Sequence, residues 1–475
     1  MKVFNSLSGK KEPIRQAQGK TLKLFVCGPT VYDYPHIGNA RTFMAFDIIV
    51  RYLRSAGFKI FYLQNITDID DKIIQRAKEE KTDWKTVAKH YEKVFLQNLK
   101  DLNITSVNKF ARATDYIPEI IKQVKTLIKR GNAYEIPGDG WYFDLKTFAN
   151  YGKLAHRTVS QANDGVSRID TNNKKRNAGD FCLWKFSHAN SAPPPKGSGN
   201  AKAPMLINGE PAWQSSLGWG RPGWHIEDTA ISESFFGPQY DLHGGAIDLK
   251  FPHHEAEIAQ QESASGKKPF VKLWMHTGFL EVNGQKMSKS LGNFITIGDM
   301  LKKYSADIFR MMVLSCHYRS PMDYNGVLAE NAQKNLKEIQ IFLVKLDLIK
   351  NSKNKESVNL KKTQKEFEEA MSDDFNTPKA IAAIFELMNE VNKKIWLLNK
   401  KQAGDIKKSL KKLLSSFGIK ELEPKIPLKI ASMAKKRELL RIDKQFAQSD
   451  ALRKEIDKLG FTIEDTPAGP LVLRK

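Results

Sequence analysis

Cysteine is scarce in this chain. Only Cys27, Cys182 and Cys316 occur among 475 residues, far apart and with no Cys-x-x-Cys pair. That argues against a disulfide framework and fits a reducing compartment. Long apolar runs are missing as well. No stretch approaches the roughly 18–20 residues of a membrane span, and the opening Met1-Lys-Val-Phe-Asn-Ser-Leu7 has no extended apolar core. A cytoplasmic protein without a membrane partner is expected. Acidic residues are outnumbered, 53 against 76 Lys and Arg, which leaves a formal charge of +23. Such an excess favours a polyanionic partner, although general solubility accounts for it about as well.

What is present reads as α/β. Leu22–Cys27 is apolar and strand-like, and Gly28-Pro29 breaks it. From about Asn39, Phe43, Phe46, Ile49, Val50 and Leu53 recur at helical spacing, and Lys59–Leu63 forms a second strand. This β-α-β start predicts a parallel sheet. The spacing predicts a helix over 114–130, capped by Thr114 or Asp115, with Pro118 in its first turn and Gly131 as its stop. The β-α rhythm then lapses until about 187, which marks an insertion. Residues 190–204, rich in Pro, Gly, Ser and Ala, read as a surface loop. Beyond Asn325 the chain turns helical and lysine-rich, with Lys393-Lys394 and Lys407–Lys412 either a solvated face or a phosphate-following surface. A helix over Arg437–Leu459 and a strand over Gly460–Glu464 close it.

The expected fold is a Rossmann-like parallel-sheet domain with an inserted connective domain, a helical bundle and a small C-terminal α/β unit. The segments are 1–110 and 205–285 (two halves of the sheet domain), 111–204 (insertion), 286–325 (Lys/Ser loop region), 326–425 (bundle) and 426–475 (C-terminal unit).

Three segments carry chemistry. Pro35-His36-Ile37-Gly38-Asn39 opens a helix after a strand, so Gly38 permits close approach and the helix N-terminus offers free N–H groups to phosphate. His36 can donate to a phosphate oxygen, or can simply cap the helix. Gly284–Asn293 sets Lys286 and Lys289 in a Gly/Ser loop suited to clamping a triphosphate, or to a solvated basic loop. Between them, Pro252 starts a helix that puts His253 and Glu257, four apart, on one face. That pair is a workable metal edge or a surface pair, and Cys27 in a reduced protein tips the reading to metal.

The first two segments, in this order and about 250 residues apart, resemble the HIGH and KMSKS signatures of class I aminoacyl-tRNA synthetases. The likeness sharpens to the cysteinyl-tRNA synthetases and runs nearly end to end. Phe25–Asp33, Asn65–Lys72, Lys175–Asn177, Gly220–Glu227, Phe251–Glu255, Lys286–Asn293, His317–Ser320 and Asp373–Thr377 are similar to blocks of that family. The resemblance implies activation of L-cysteine by ATP and transfer to tRNA(Cys), with Zn2+ in the amino-acid pocket and Mg2+ accompanying ATP. It implies metal ligands at Cys27, Asp228, His253 and Glu257. Catalysis and ATP binding would fall to His36, Gly38, Asn39, Lys286 and Lys289, and cysteine binding to Gly28, Thr67, Trp224 and His243. Anticodon contacts would come from Arg441, Phe446, Asp450 and Asp465, and a monomer is expected.

Asp228 departs from the pattern, because the family usually has cysteine there. A carboxylate keeps a thiolate's charge and remains an accepted zinc ligand, but a hard oxygen weakens preference for zinc. Two other functions stay open. One is an ATP-dependent cysteine ligase forming an amide with a small amine; the other is a non-catalytic tRNA-binding paralogue.

Overall fold

The computed structural model describes residues 1–16, 19–157, 174–187, 203–207, 209–350, 356, 358–420, 422 and 426–474. They divide into two compact units: Met1–Lys303 with Tyr318–Met322, and Tyr304–His317 with Asp323–Lys475. Residues 190–202 of the expected 190–204 loop lie outside the described residues.

The first unit is built on five parallel strands. β1 (Leu22–Val26), β2 (Ile60–Ile66), β3 (Lys109–Arg112), β8 (Tyr240–Ala246) and β9 (Val271–Thr277) lie side by side in the order β9-β8-β1-β2-β3. The chain winds outward from β1 to β3, then resumes on the other side of β1 with β8. The reversal falls between β1 and β8, and crevices at such points bind ligands beyond the strands' carboxyl ends. Cys27 sits there, its N–H donating to Gly244 O at 3.1 Å.

Helix α1 (Ile37–Ser55) follows β1 and is buried nearly all round, from Ile37 through Phe43, Phe46 and Leu53. A helix apolar on so many sides belongs inside a large core. Gly244 lets it approach the sheet, because a Cβ there would lie 2.3 Å from the Phe46 ring.

The helix expected over 114–130 is shorter. A 3-10 turn (Ala113–Tyr116) precedes α4 (Ile117–Lys129), and no side chain caps it. Thr114 is occupied elsewhere: its N–H and hydroxyl donate to buried Asp68 at 2.9 and 2.5 Å. α4 packs with α5 (Ile226–Phe236) and α6 (His253–Ser265). Gln123 joins all three, donating to Glu233 and Gln261 and accepting from Thr229. After α4 comes an antiparallel sheet of β4 (Ala133–Ile136), β5 (Gly140–Phe143), β6 (Phe181–Phe186) and β7 (Gly220–Pro222).

In the second unit, helices α8 (Ala306–Leu314), α9 (Gly326–Leu348), α10 (Leu360–Ser372), α11 (Thr377–Asn392) and α12 (Lys400–Ser416) form the bundle. α12 buries Ala403, Ile406, Leu410 and Leu413. Lys407 pairs with Asp347 at 2.6 Å, so the lysine run is the polar side of an amphipathic helix.

The helix expected over Arg437–Leu459 is two helices, α13 (Leu428–Ile442) and α14 (Phe446–Lys458). Lys444 in the left-handed region (φ 58) turns the chain between them. The final strand is a hairpin, β12 (Phe461–Thr466) with β13 (Gly469–Arg474). Ile430, Ala434, Ile456, Phe461, Ile463 and Val472 close a small core beneath it.

Candidate active site

A cavity of about 460 Å3 opens at the β1/β8 reversal. Its wall includes Cys27, Gly28, Thr67, Trp224, Asp228 and His253 on one side and His36, Gly38, Asn39, Lys286 and Lys289 on another. The chain thus gathers into one cavity residues that sequence spacing holds up to about 260 positions apart.

One end of the cavity is built by the α1 N-terminus. His36 is its N-cap: Nδ1 accepts the Asn39 N–H at 3.3 Å, while Asn39 Oδ1 accepts the His36 N–H at 3.2 Å. The first turn has no acidic residue to offset the positive helix end. Burial, and then the Lys289 charge, pull the His36 pKa down from 6.5 to about 4. The ring is therefore neutral near pH 7. With Nδ1 accepting, its proton stays on Nε2, which is the arrangement a phosphate-oxygen donor needs. Gly38 makes room for that ring, since a Cβ there would come 2.8 Å from His36 Nδ1.

At the other end, Gly28 lets β1 run close to β2. A Cβ at 28 would sit 1.8 Å from Asn65 O, and the Gly28 N–H donates to Asn65 Oδ1 at 2.6 Å. Trp224, 41% exposed, stacks on His253 with ring centroids 4.4 Å apart. Thr67 donates to buried Glu227, a partner that sequence reading missed. His243 is placed differently from the other expected cysteine-pocket residues. It is fully buried behind Cys27, Nε2 3.3 Å from the sulfur and Nδ1 2.6 Å from Tyr240 Oη, and it does not line the cavity.

The buried donors converge. Cys27, Asp228, His253 and Glu257 present ligand atoms within 4.8 Å of one another. His253 Nε2 is 3.0 Å from Asp228 Oδ2 and 3.1 Å from Glu257 Oε1. Asp228 Oδ1 and Glu257 Oε2 are buried without a hydrogen-bond partner. Burial first, and then the charges of Glu257 and Asp228, raise the Cys27 thiol well above its usual pKa. Burial and then Asp228 likewise raise Glu257. A thiol and two carboxyls crowded together out of water, with lone pairs to spare, fit a divalent cation. A second group, Cys27, His243, His254 and Glu257, shares two of these residues. The first reaches the cavity through Cys27, Asp228 and His253, the second through Cys27 alone, since His243 and His254 do not line it.

Histidines stand behind these groups. His225 Nδ1 is 2.7 Å from His253 Nδ1, which leaves His253 Nε2 facing the carboxylates. His254 Nε2 is 3.2 Å from Cys27 Sγ, and its Nδ1 meets His276, which meets Ser6. Burial pulls His225, His243 and His254 well below the usual imidazole range and His276 down to about 3. Neutral imidazoles surround the cluster. His225 and His254 lie in segments the sequence already singled out, but nothing in their spacing separates them from ordinary core residues.

In the C-terminal unit, Phe446 is 59% exposed and Asp450 is exposed. Asp465 accepts two bonds from buried Arg437, at 2.6 and 3.1 Å, and pairs with Arg441. The Arg437 bonds outweigh burial and hold its carboxyl below the usual range. Asp465 thus organises two arginines.

Comparison with known proteins agrees with this geometry. Residues 13–334 match the family model of tRNA synthetases class I (C) catalytic domain, and 366–421 match the DALR domain. A cysteine–tRNA ligase of Thermococcus gammatolerans is 39% identical, covering 99% of this chain and 98% of that protein. Those of Methanococcus maripaludis and Coxiella burnetii are each 40% identical, covering 100% and 99% of this chain and 99% of each relative. Among solved structures, Mycobacterium tuberculosis methionyl-tRNA synthetase with methionyl-adenylate aligns with a TM-score of 0.56 at 14% identity, covering 84% of this chain and 89% of that one. An Agrobacterium radiobacter LeuRS–tRNA–LeuAMS complex gives 0.60 at 11%, covering 85% and 84%. The structural matches share the class I synthetase fold. The chain belongs to the cysteine–tRNA ligase family of class I aminoacyl-tRNA synthetases.

Proposed function

We propose that the protein activates L-cysteine with ATP, forming cysteinyl-adenylate and pyrophosphate, and then transfers cysteine to the 3′ end of tRNA(Cys). One observation carries this reading. The His36 helix end and the Lys286/Lys289 loop share a single cavity with the Cys27, Asp228 and His253 cluster. The cysteine carboxylate attacks the α-phosphorus directly, so the protein has to position reactants and stabilise charge rather than supply a nucleophile. His36 Nε2–H and the Gly38 amide donate to phosphate oxygens, Asn39 holds the His36 ring through its own N–H, and Lys286 and Lys289 neutralise the departing pyrophosphate. Mg2+ would accompany the nucleotide.

Cys27, Asp228, His253 and Glu257 would hold Zn2+, which when bound offers the substrate a Lewis-acidic seat for its thiolate. Serine's hydroxyl cannot match that bond at neutral pH, so the cluster supplies selectivity that a shaped pocket alone does not. Trp224 and Gly28 wall the amino-acid end. Thr67 acts there with Glu227, and His243 acts through Cys27 by holding its orientation.

A neighbouring cleft supports the tRNA partner. It shares Thr30, Lys72 and Trp224 with the first cavity and adds Tyr142, Lys175 and Lys185. The half-exposed Trp224 face, with Lys72 and Lys175 in the same lining, suits a single-stranded 3′ end. In the C-terminal unit, exposed Phe446 would stack on an anticodon base, with Arg441 and Asp450 beside it. We place Asp465 as their support, because its oxygens are engaged by Arg437 and Arg441.

One chain carries every residue of the site, so a monomer suffices. None of the described helices is long and apolar enough to cross a membrane, and the scarcity and wide spacing of the three cysteines suit the cytoplasm. Cysteine-dependent ATP–pyrophosphate exchange followed by charging of tRNA(Cys) tests the proposal. Exchange without charging would favour the amide ligase, and neither would favour the non-catalytic binder.

A further inference from the structure

Lys289 Nζ rests against Asp33 Oδ2, joining the Lys/Ser loop to the turn that precedes His36. The two partners are unequally held. Asp33 is only 13% exposed at its side chain, against 57% for Lys289. Its Oδ1 accepts the Tyr34 N–H at 2.8 Å and faces Arg76 Nη2 at 3.8 Å. Arg76 is itself fixed by Glu80 at 2.6 Å and by Tyr91 Oη at 2.9 Å.

The loop's other side-chain bonds close on itself. Ser288 N–H donates to Asn293 Oδ1 at 2.8 Å, and Asn293 Nδ2 donates to Lys286 O at 3.2 Å. Among the described residues, Asp33 is the one carboxylate paired with the loop's lysines. Asp33, His36 and Lys289 line the same cavity. An anchored carboxylate there occupies a mobile ammonium's partner position, where a phosphate oxygen would otherwise sit. Two anions cannot share one lysine cheaply, since carboxylate and triphosphate repel each other across it.

We propose that Asp33 is a positioning residue for the Lys/Ser loop: it holds Lys289 while the site is empty, yields it to the triphosphate of ATP, and takes it back when pyrophosphate leaves. The inference rests on the reading of Lys289 as a triphosphate ligand. The contact keeps the loop near the cavity before ATP arrives, and the same contact competes with ATP for the lysine. Binding therefore starts from a closed, occupied state that the nucleotide has to displace.

The test compares Asp33→Asn and Asp33→Glu with the wild type, each as full-length enzyme. Without nucleotide, amide hydrogen exchange over 286–293 is expected to run several-fold faster in Asp33→Asn, and a bound ATP analogue should abolish the difference. KM for ATP in cysteine-dependent exchange should fall roughly two- to fivefold, the scale of one partly exposed ion pair, while KM for cysteine stays put. Asp33→Glu should restore the slow loop exchange. Identical loop exchange in the wild type and Asp33→Asn would overturn the proposal. So would a raised KM for ATP with a tenfold loss of kcat that Asp33→Glu does not rescue, because Asp33 would then touch the nucleotide. A wild type with no cysteine-dependent exchange would instead sink the activity reading, and loop hydrogen exchange would still decide the Asp33–Lys289 contact.

Discussion

Asp228 Oδ2 lies 3.0 Å from His253 Nε2, while Asp228 Oδ1 is buried with no hydrogen-bond partner. A carboxylate with one oxygen against the His253 ring and the other unsatisfied is poorly placed as a structural group, and well placed as a ligand. Asp228→Asn keeps the shape and removes the charge. Metal affinity should drop by about 100-fold or more, beyond the 10–100-fold of an outer-shell change, with cysteine activation falling alongside it. Asp228→Cys should retain metal. Titration with a competing chelator reads both.

His36 caps α1 through Nδ1, and its neutral ring keeps a proton on Nε2. His36→Ala is expected to lower kcat for ATP–pyrophosphate exchange by about 10²–10³, as loss of an oriented donor does. KM for cysteine should change little, because the cysteine end is built by other residues. Steady-state exchange kinetics separate the two effects.

The same histidine sets a pH dependence of stability. Its pKa falls from 6.5 to about 4 on folding, and that of His276 falls to about 3. The unfolded chain then binds more protons than the native one at pH values between these limits and 6.5, so stability rises with pH there. The contribution is fully present above about 6.5 and is lost as pH falls through 4 towards 3. Thermal melts from pH 7 to 4 should show Tm dropping steadily, and His36→Gln should flatten part of the slope.

Two glycines should fail in different ways. Gly28→Ala drives a Cβ into the Asn65 carbonyl, which is backbone and cannot step aside. A loss of about 1–3 kcal/mol in stability is expected. Gly38→Ala meets a side chain, the His36 ring, which can rotate away at the expense of its aim. Denaturation should find Gly38→Ala close to wild type in stability, while exchange assays find it strongly impaired.

In the C-terminal unit, Phe446→Ala should weaken charging by about 1–3 kcal/mol in kcat/KM for tRNA, the scale of one base stack. Cysteine-dependent pyrophosphate exchange should be unchanged. Asp465→Asn should lower charging too, and should also loosen the α13–hairpin core by releasing Arg437, which hydrogen exchange in that unit will show.

The sequence made the start of the parallel sheet legible because Leu22–Cys27, Lys59–Leu63 and α1 carry apolar patterns, whereas Lys109–Arg112 and Tyr240–Ala246 carry none that marks them as strands. It also showed His36, Lys286 and Lys289, whose types and order are tied to phosphate chemistry. Element edges were less legible. The α13–α14 break depends on Lys444 adopting φ 58, and nothing in the local pattern demands that. The insertion's limits were blurred because β7 pairs with β6 across a long gap in sequence. Glu227, His225 and His254 were missed as functional neighbours because their importance comes from three-dimensional convergence. Trp224 shows the opposite case: the family resemblance named it from sequence, and the fold adds its stacking on His253 and its place in the cavity wall.

The central claim is that a metal held through Cys27, Asp228, His253 and Glu257 makes this enzyme select cysteine. Metal analysis of the purified protein, with cysteine- and serine-dependent ATP–pyrophosphate exchange on the same sample, tests it most directly. One zinc per chain is expected, with activation of cysteine over serine by roughly 10⁴-fold or more and loss of both metal and activity on chelation. Full cysteine-selective exchange from a protein without stoichiometric metal would contradict the account.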